Sequence, residues 1–335
     1  VATAELITEM VRAHTLGDER RWRNLLAQLI AAESRAGHTR QATRLRELLA
    51  EAKALKSERD SSRTTGHPAQ LARAPRDLAD VLDVRYSDAR LSELVLPTSL
   101  RASVQRVLDE QRVAGRLAEH GLVPRRRLLM HGPPGCGKTM AAHALAGELK
   151  LPLARVRLEV LFNRYLGETA ATLTDIFEHI DRARAVYLFD EFDALGKHRG
   201  DEFDVGEAKR VVGTFLQLLD ASDSDGLIVA ATNMGGALDP ALLRRFDDVL
   251  EFPAPTLKAR ETLLRRLLRS LPLDDHTARR LATQGEGLSF AEVRAAVDNA
   301  RKAAILVDRE APALDDIAAE LSARVRGSSV FTGRA

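Results

Sequence analysis

Five short β-type runs separated by helical patterns predict an α/β chain built on a parallel sheet. A glycine-rich loop between the first run and the helix after it predicts where a ligand binds. The runs are Arg127–His131, Leu153–Leu158, Ala185–Phe189, Leu227–Thr232 and Val249–Phe252. Strands that alternate with helices form βαβ units, whose crossover helices cover both faces of an open sheet. Aromatic residues make up only 4% of the chain, which argues against a β-sandwich or barrel.

The chain has 335 residues, and at roughly 100–200 residues per domain this predicts two or three domains. Fifty Lys+Arg against 48 Asp+Glu leave a net charge of +2. That balance gives no overall drive toward nucleic acid or an anionic membrane. One cysteine rules out an intrachain disulfide. No apolar run reaches the roughly 18 residues that span a bilayer. Val1–Glu5 has neither the basic start nor the apolar stretch of a leader, so a cytoplasmic location is expected.

Residues 1–56 read as a small helical bundle. Trp22, Leu25, Leu26, Leu29 and Ile30 follow helical spacing, Gly37 suits a C-cap, and Thr39 suits the N-cap of a third helix. A bundle this small is marginal alone, so a recruitment role is expected of it. Residues 57–76, rich in Ser, Thr, Arg and Pro, read as a linker. The α/β core is expected over 77–253, a helical lid over 254–326, and a flexible tail over 327–335. Ser289-Phe290-Ala291-Glu292 has the form of a capping box that opens a lid helix.

Gly132-Pro133-Pro134-Gly135-Cys136-Gly137-Lys138-Thr139 fits the phosphate-loop pattern G-x-x-x-x-G-K-[ST]. Its glycines let backbone N–H groups turn toward phosphates, and the helix N-terminus adds its dipole. Lys138 supplies a compact cation, and the Thr139 hydroxyl suits Mg²⁺. Pro134 to Met140 would therefore line the nucleotide, with Cys136 an inert thiol at a variable position. Some fifty residues on, Val186-Tyr187-Leu188-Phe189 ends in Asp190-Glu191. Alternation along a strand sends those two carboxylates to different sides, Asp190 toward the metal and Glu191 toward the attacking water. Thr232-Asn233 ends a third buried strand, where an amide can bond both the terminal phosphate and the water.

Together these motifs resemble the AAA+ ATPases, specifically the AAA family proper, over about residues 91–324. The resemblance implies ATP and Mg²⁺ as ligands, a core with strand order 5-1-4-3-2, and a ring, expected to be a hexamer. Leu238-Asp239-Pro240-Ala241-Leu242-Leu243-Arg244-Arg245-Phe246-Asp247 looks like the family's second region of homology, whose arginines reach the nucleotide of the neighbouring subunit. The family places Pro-Gly or similar residues between its two arginines. Here Arg244 and Arg245 are adjacent, and at least one of them is expected to act in trans. Gly287 to Val293 resembles the lid's Gly-x-x-Gly-Ala-Asp-Leu pattern, with Phe290 in place of a glycine. Ala291 there and Val95 in the segment Leu94–Leu96 correspond to the adenine contacts. The lid arginine of other AAA+ groups is not implied, because Arg294 comes one turn too late.

Asn163-Arg164-Tyr165-Leu166-Gly167-Glu168 resembles the first pore loop of protein-remodelling members, which makes Arg164, Tyr165, Leu166 and Gly167 candidate substrate contacts. His198–Glu202 is a candidate second pore loop. A protein-remodelling or unfolding motor is therefore the leading expectation. The alternative is an ATP-gated regulator of a separate enzyme, bound through the N-terminal bundle. The chain is similar to compact bacterial AAA ATPases found beside subtilisin-like proteases. A nucleic-acid motor is disfavoured by the charge balance. No His pair at i, i+4 spacing and no second cysteine support zinc, and no G-x-S-x-G elbow is present. Arg125-Arg126-Arg127 and Arg265-Arg266 are expected to be solvated faces or intersubunit contacts.

Overall fold

The computed structural model describes residues 78–162, 166–192, 202–233 and 243–332. The predicted bundle and linker lie outside them. The described residues belong to the compact unit Leu71–Ala335. A six-stranded sheet forms its centre, with β1 (Leu82–Arg85), β2 (Arg127–His131), β3 (Leu153–Val156), β4 (Val186–Phe189), β5 (Leu227–Thr232) and β6 (Asp248–Glu251) in the order β1-β3-β4-β5-β2-β6. From β3 to β6 all pairings are parallel, and they reproduce the expected order 5-1-4-3-2 when counted from β2. β1 is an addition that the sequence reading passes over. It pairs antiparallel with β3, Leu82 opposite Val156 and Arg85 opposite Leu153. Leu-Asp-Val-Arg buries only Leu82, so it carries little strand signal of its own and is recruited to an edge.

The strand residues sort by parity. Leu129, Tyr187, Phe189, Ile228 and Ala230 face one side, against Phe177 and Ile180 of α5 (Leu166–Arg182) and Phe215 and Leu219 of α6 (Glu202–Ala221). Phe189 and Phe215 meet edge to face at 5.0 Å between ring centres. Leu128, Met130, Leu188, Val229 and Ala231 face the other side, against Val104 and Leu108 of α1 (Thr98–Arg112) and Ala141 and Leu145 of α3 (Lys138–Leu149). Each fully buried Leu, Ile or Phe contributes about 1.5–3 kcal/mol. Short α2 (Ala114–Glu119) and α4 (Leu158–Phe162) complete this half.

After Pro255 the chain is helical, with α7 (Leu257–Leu267), α8 (Asp275–Gln284), α9 (Phe290–Leu306) and α10 (Leu314–Thr332) packed around Leu264, Leu281, Val297 and Leu321. The starts are capped as their sequences require. Thr256 and Asp274 accept from the third residue on, and Ser289 forms the expected capping box with Glu292. The hydrogen bonds from Thr277 hold the Asp274 carboxyl below its usual range. α10 runs on to Thr332, past the Gly327-Ser328-Ser329 run where a frayed tail is expected to begin. One glycine costs a helix only about 1 kcal/mol, which its neighbours can offset.

The arginine runs correct an expectation. They are not simply solvated faces, because most of them tie the chain to itself, although Arg266 stays exposed. Arg125 pairs with Glu110 and stands 3.8 Å from Asp248. Arg126 donates to the Ser224 carbonyl at 2.8 Å, and Arg127 to that of Ser222 at 3.1 Å. Arg265 holds Glu261 and Asp275, while Arg266 reaches back to the Ser92 carbonyl at 2.8 Å. Each run sits where strand or helix ends leave carbonyls unbonded, which the sequence alone does not show. Among the described residues, no helix is long and apolar enough to cross a membrane.

Candidate active site

β2 lies between β5 and β6, so the chain leaves the sheet to opposite sides there and opens a crevice at the strands' carboxyl ends. The loop Gly132–Gly137 fills that crevice and runs into α3. Gly137 at φ 103° caps α3 in the left-handed region, a geometry that a side chain would strain. Gly135, at φ 72°, carries the loop's contact with the lid. A Cβ there would stand 2.6 Å from Ser289 Oγ, and the Gly135 carbonyl accepts the Ala291 N–H at 3.2 Å.

Lys138 is buried, and its ammonium donates to the carbonyls of Gly132 (2.7 Å) and Pro133 (2.9 Å) and to Asn233 Oδ1 (2.8 Å). The lysine of the loop and the amide at the end of β5 are thus brought together across 95 residues. Asp190 continues the parity of Val186 and Leu188, which turns it toward α3. There its Oδ2 accepts the Thr139 hydroxyl at 3.0 Å. A hydroxyl and a carboxylate in contact are hard oxygen donors. Mg²⁺ is commonly held by one or two protein ligands of this kind, with phosphate oxygens and water completing its shell. The residues therefore fit that ion, although among the described residues no cluster of three His, Cys, Asp or Glu is found.

Glu191 corrects the reason given for its direction. β4 ends at Phe189, so strand alternation does not place it. Its φ is 54°, a left-handed value unusual for a residue with a side chain, and its N–H bonds Asp190 Oδ1 at 3.0 Å. That turn brings Glu191 as well as Asp190 to the same cavity. Backbone strain of this kind gathers at functional positions.

The cavity holds about 390 Å³ between the phosphate loop, the segment Glu93–Leu96 and the lid. Val95 and Ala291 line it as the resemblance implies, and Pro134, Cys136 and Met140 line it from the loop. Cys136 is 2% exposed and burial pushes its thiol pKa up, so it is a poor nucleophile as read from sequence. Sequence reasoning passed over Leu263 of α7 and discounted Arg294 of α9, yet both line the cavity. Arg294 is on the same helical face as Ala291, three residues back, so it remains in reach one turn later.

Arg244 and Arg245 differ. Arg245 is paired with Asp220 at the end of α6. Arg244 is exposed, and among the described residues it makes no ion pair or hydrogen bond. Neither lines the cavity formed by their own chain. Arg164, Tyr165 and, of the candidate second pore loop His198–Glu202, all but Glu202, the first residue of α6, lie outside the described residues. Leu166 and Gly167 begin α5.

A phosphate loop that opens a helix, two carboxylates ending the next strand but one, and a helical lid closing over the crevice define a nucleotide-hydrolysing module. Comparison with known proteins gives it a family. The model of the "ATPase family associated with various cellular activities (AAA)" matches residues 128–254. An uncharacterized AAA family ATPase, y4kL of Sinorhizobium fredii, is 34% identical over 92% of this chain and 92% of its own length. The chain belongs to the AAA family of ATPases, and its activity is ATP hydrolysis. The proteasome-activating nucleotidase of Thermococcus onnurineus is 39% identical over 57% of this chain, which spans 50% of that protein. An ATP-dependent zinc metalloprotease FtsH of Rhodopirellula baltica is 32% identical over 65% of this chain and 34% of its own length. In fold, the FIGL-1 AAA domain superposes with a TM-score of 0.59 over 76% of the chain at 20% identity.

Proposed function

We propose that this chain is a Mg²⁺-dependent motor that assembles head to tail into a ring, shares each active site between two copies, and remodels or unfolds protein substrates. The observation that carries the reading is the contrast between Arg245, tied to Asp220, and Arg244, exposed and uncommitted. Lys138, Thr139, Asp190, Glu191 and Asn233 supply one half of a phosphoryl-transfer site, and Arg244 of a neighbouring copy supplies the other.

In this reading Lys138 gives up loop carbonyls to grip the β- and γ-phosphates while Thr139 and Asp190 hold the metal, which neutralises charge on the phosphate oxygens when bound. Glu191 accepts a hydrogen bond from the attacking water and polarises it. Asn233, already on Lys138, orients that water against the terminal phosphate. Arg244 offsets the charge that develops on the transferred group. Change at the phosphates reaches the lid through Gly135 and Ala291, and the lid's movement shifts Tyr165 and its neighbours in the channel. The names of the nucleotidase and of the ATP-dependent protease support a protein substrate. Residues 1–56, read from sequence as a helical bundle, are the proposed recruitment module.

The test is the ATPase rate per subunit against protein concentration, with particle mass measured for Glu191→Gln with and without Mg-ATP. A shared site predicts a rate that rises with assembly and a larger ATP-bound particle for the amide variant. A rate independent of concentration refutes it. If Tyr165→Ala leaves remodelling intact while deletion of residues 1–60 abolishes it, the chain is an ATP-gated regulator instead.

A further inference from the structure

The carboxylate proposed to hold the metal already faces a cation of its own chain. Arg155 on β3 pairs in register with Leu188 of β4, and Asp190 lies two residues beyond Leu188 on the same face of the sheet. The diagonal brings Arg155 Nη2 to 3.6 Å from Asp190 Oδ2, the same oxygen that accepts the Thr139 hydroxyl. The other oxygen, Oδ1, accepts the Glu191 N–H. The Asp190 side chain is 13% exposed and that of Arg155 49%, so the carboxylate is shielded and the guanidinium can swing toward solvent. Two other basic groups stand nearby. Arg85 is committed to Asp83 at 2.9 Å, and burial, Arg155 and Arg85 lower the His143 pKa against the opposing pull of Asp190.

We propose that Arg155 is a positioning residue that serves as the resident counter-cation of Asp190 and competes with Mg²⁺ for it, so that the metal binds well only together with the phosphates. This rests on the assignment of Asp190 to the metal. A guanidinium on the carboxylate keeps Oδ2 turned toward Thr139, the direction the ion requires. It also raises the threshold for a divalent cation, because two positive centres cannot share one half-buried oxygen without repulsion. Phosphate oxygens supply the extra negative charge that tips the exchange, and Arg155 then moves out toward water. The arrangement disfavours binding of bare metal and favours entry of metal and triphosphate as a unit.

The test uses the full chain and a fluorescent ADP analogue, its Kd measured in Mg²⁺ and in EDTA. The EDTA value divided by the Mg²⁺ value is the metal's contribution to nucleotide binding. Arg155→Gln is expected to raise that ratio about three- to tenfold at low salt, the size expected of a half-exposed charge pair, with the EDTA value unchanged. Arg155→Lys should stay near wild type, and Asp190→Asn should bring the ratio close to one. Isothermal titration of the nucleotide-free chain with Mn²⁺ should show tighter binding for Arg155→Gln. If Arg155→Gln leaves the ratio unchanged or lowers it while Asp190→Asn collapses it, the competition is refuted and the metal site stands. If Asp190→Asn has no effect, the metal assignment itself fails. Weaker binding of Arg155→Gln in EDTA would make Arg155 a phosphate ligand and overturn the proposal. A melting temperature within a few degrees of wild type shows that each variant is folded.

Discussion

Replacing either of two adjacent arginines should give opposite phenotypes. Arg245 and Asp220 have side-chain exposures of 44% and 36%, so their pair is screened and worth at most about 1 kcal/mol. Arg245→Ala should therefore lower the melting temperature by about 2–4 °C, as expected for a unit of this size, and reduce turnover only modestly. Arg244 makes no bond or ion pair among the described residues, so Arg244→Ala should leave the melting temperature unchanged. Its turnover should fall by about 10³–10⁵, the value of a guanidinium delivered to a transferring phosphoryl group. The decisive assay mixes Arg244→Ala with Glu191→Gln, each inactive alone. In a mixed ring, the intact pocket of the first variant meets the intact arginine of the second, so activity should return in proportion to such junctions. Absence of recovery from co-assembled mixtures would refute the shared site. So would an Arg244→Ala protein that hydrolyses ATP at the wild-type rate.

Other outcomes follow from single contacts. Glu191→Gln should lower turnover by about 10²–10⁴ while equilibrium dialysis finds ATP affinity retained, because the variant loses the base and keeps the grip. Gly135→Val places a Cβ against Ser289 Oγ at a left-handed φ, and nucleotide binding by fluorescence titration should be lost with the fold preserved by circular dichroism. Tyr187→Phe removes the hydroxyl's bond to the Ala183 carbonyl (2.7 Å), and denaturant unfolding should show a loss of about 1 kcal/mol at unchanged ATPase rate. Burial raises the Cys136 pKa, so less thiolate is present at a given pH than in a free thiol. Alkylation followed by mass spectrometry should be slow near neutrality and accelerate only above about pH 8.5, the free-thiol value. The same shift means that the folded chain holds this proton longer than the unfolded one, so its contribution to stability falls as pH rises through that range.

Much of this architecture is legible in the chain because its signals are local. The parallel strands announce themselves as apolar runs, and the phosphate loop carries its glycines and lysine within eight positions. The capping box at Ser289 likewise needs only four residues. What escapes depends on partners distant in sequence. β1 is a strand only because β3 offers it an edge. The direction of Glu191 follows from a turn whose φ no residue name reveals. The difference between Arg244 and Arg245 needs Asp220, and the contact of Arg155 with Asp190 needs the register of β3 on β4. Arg294 was set aside by comparison with a motif, whereas helical geometry returns it to the cavity.

The hydrogen bond from the Ala291 amide to the Gly135 carbonyl deserves a mechanical reading. In the proposed motor it would hinge the lid directly on the loop that grips the fuel, with no intermediary to loosen or delay the signal. Wear at that joint, with the grip itself intact, would leave an engine that still burns while its lever stands idle, so uncoupled variants are best sought at the Ala291 end of this link.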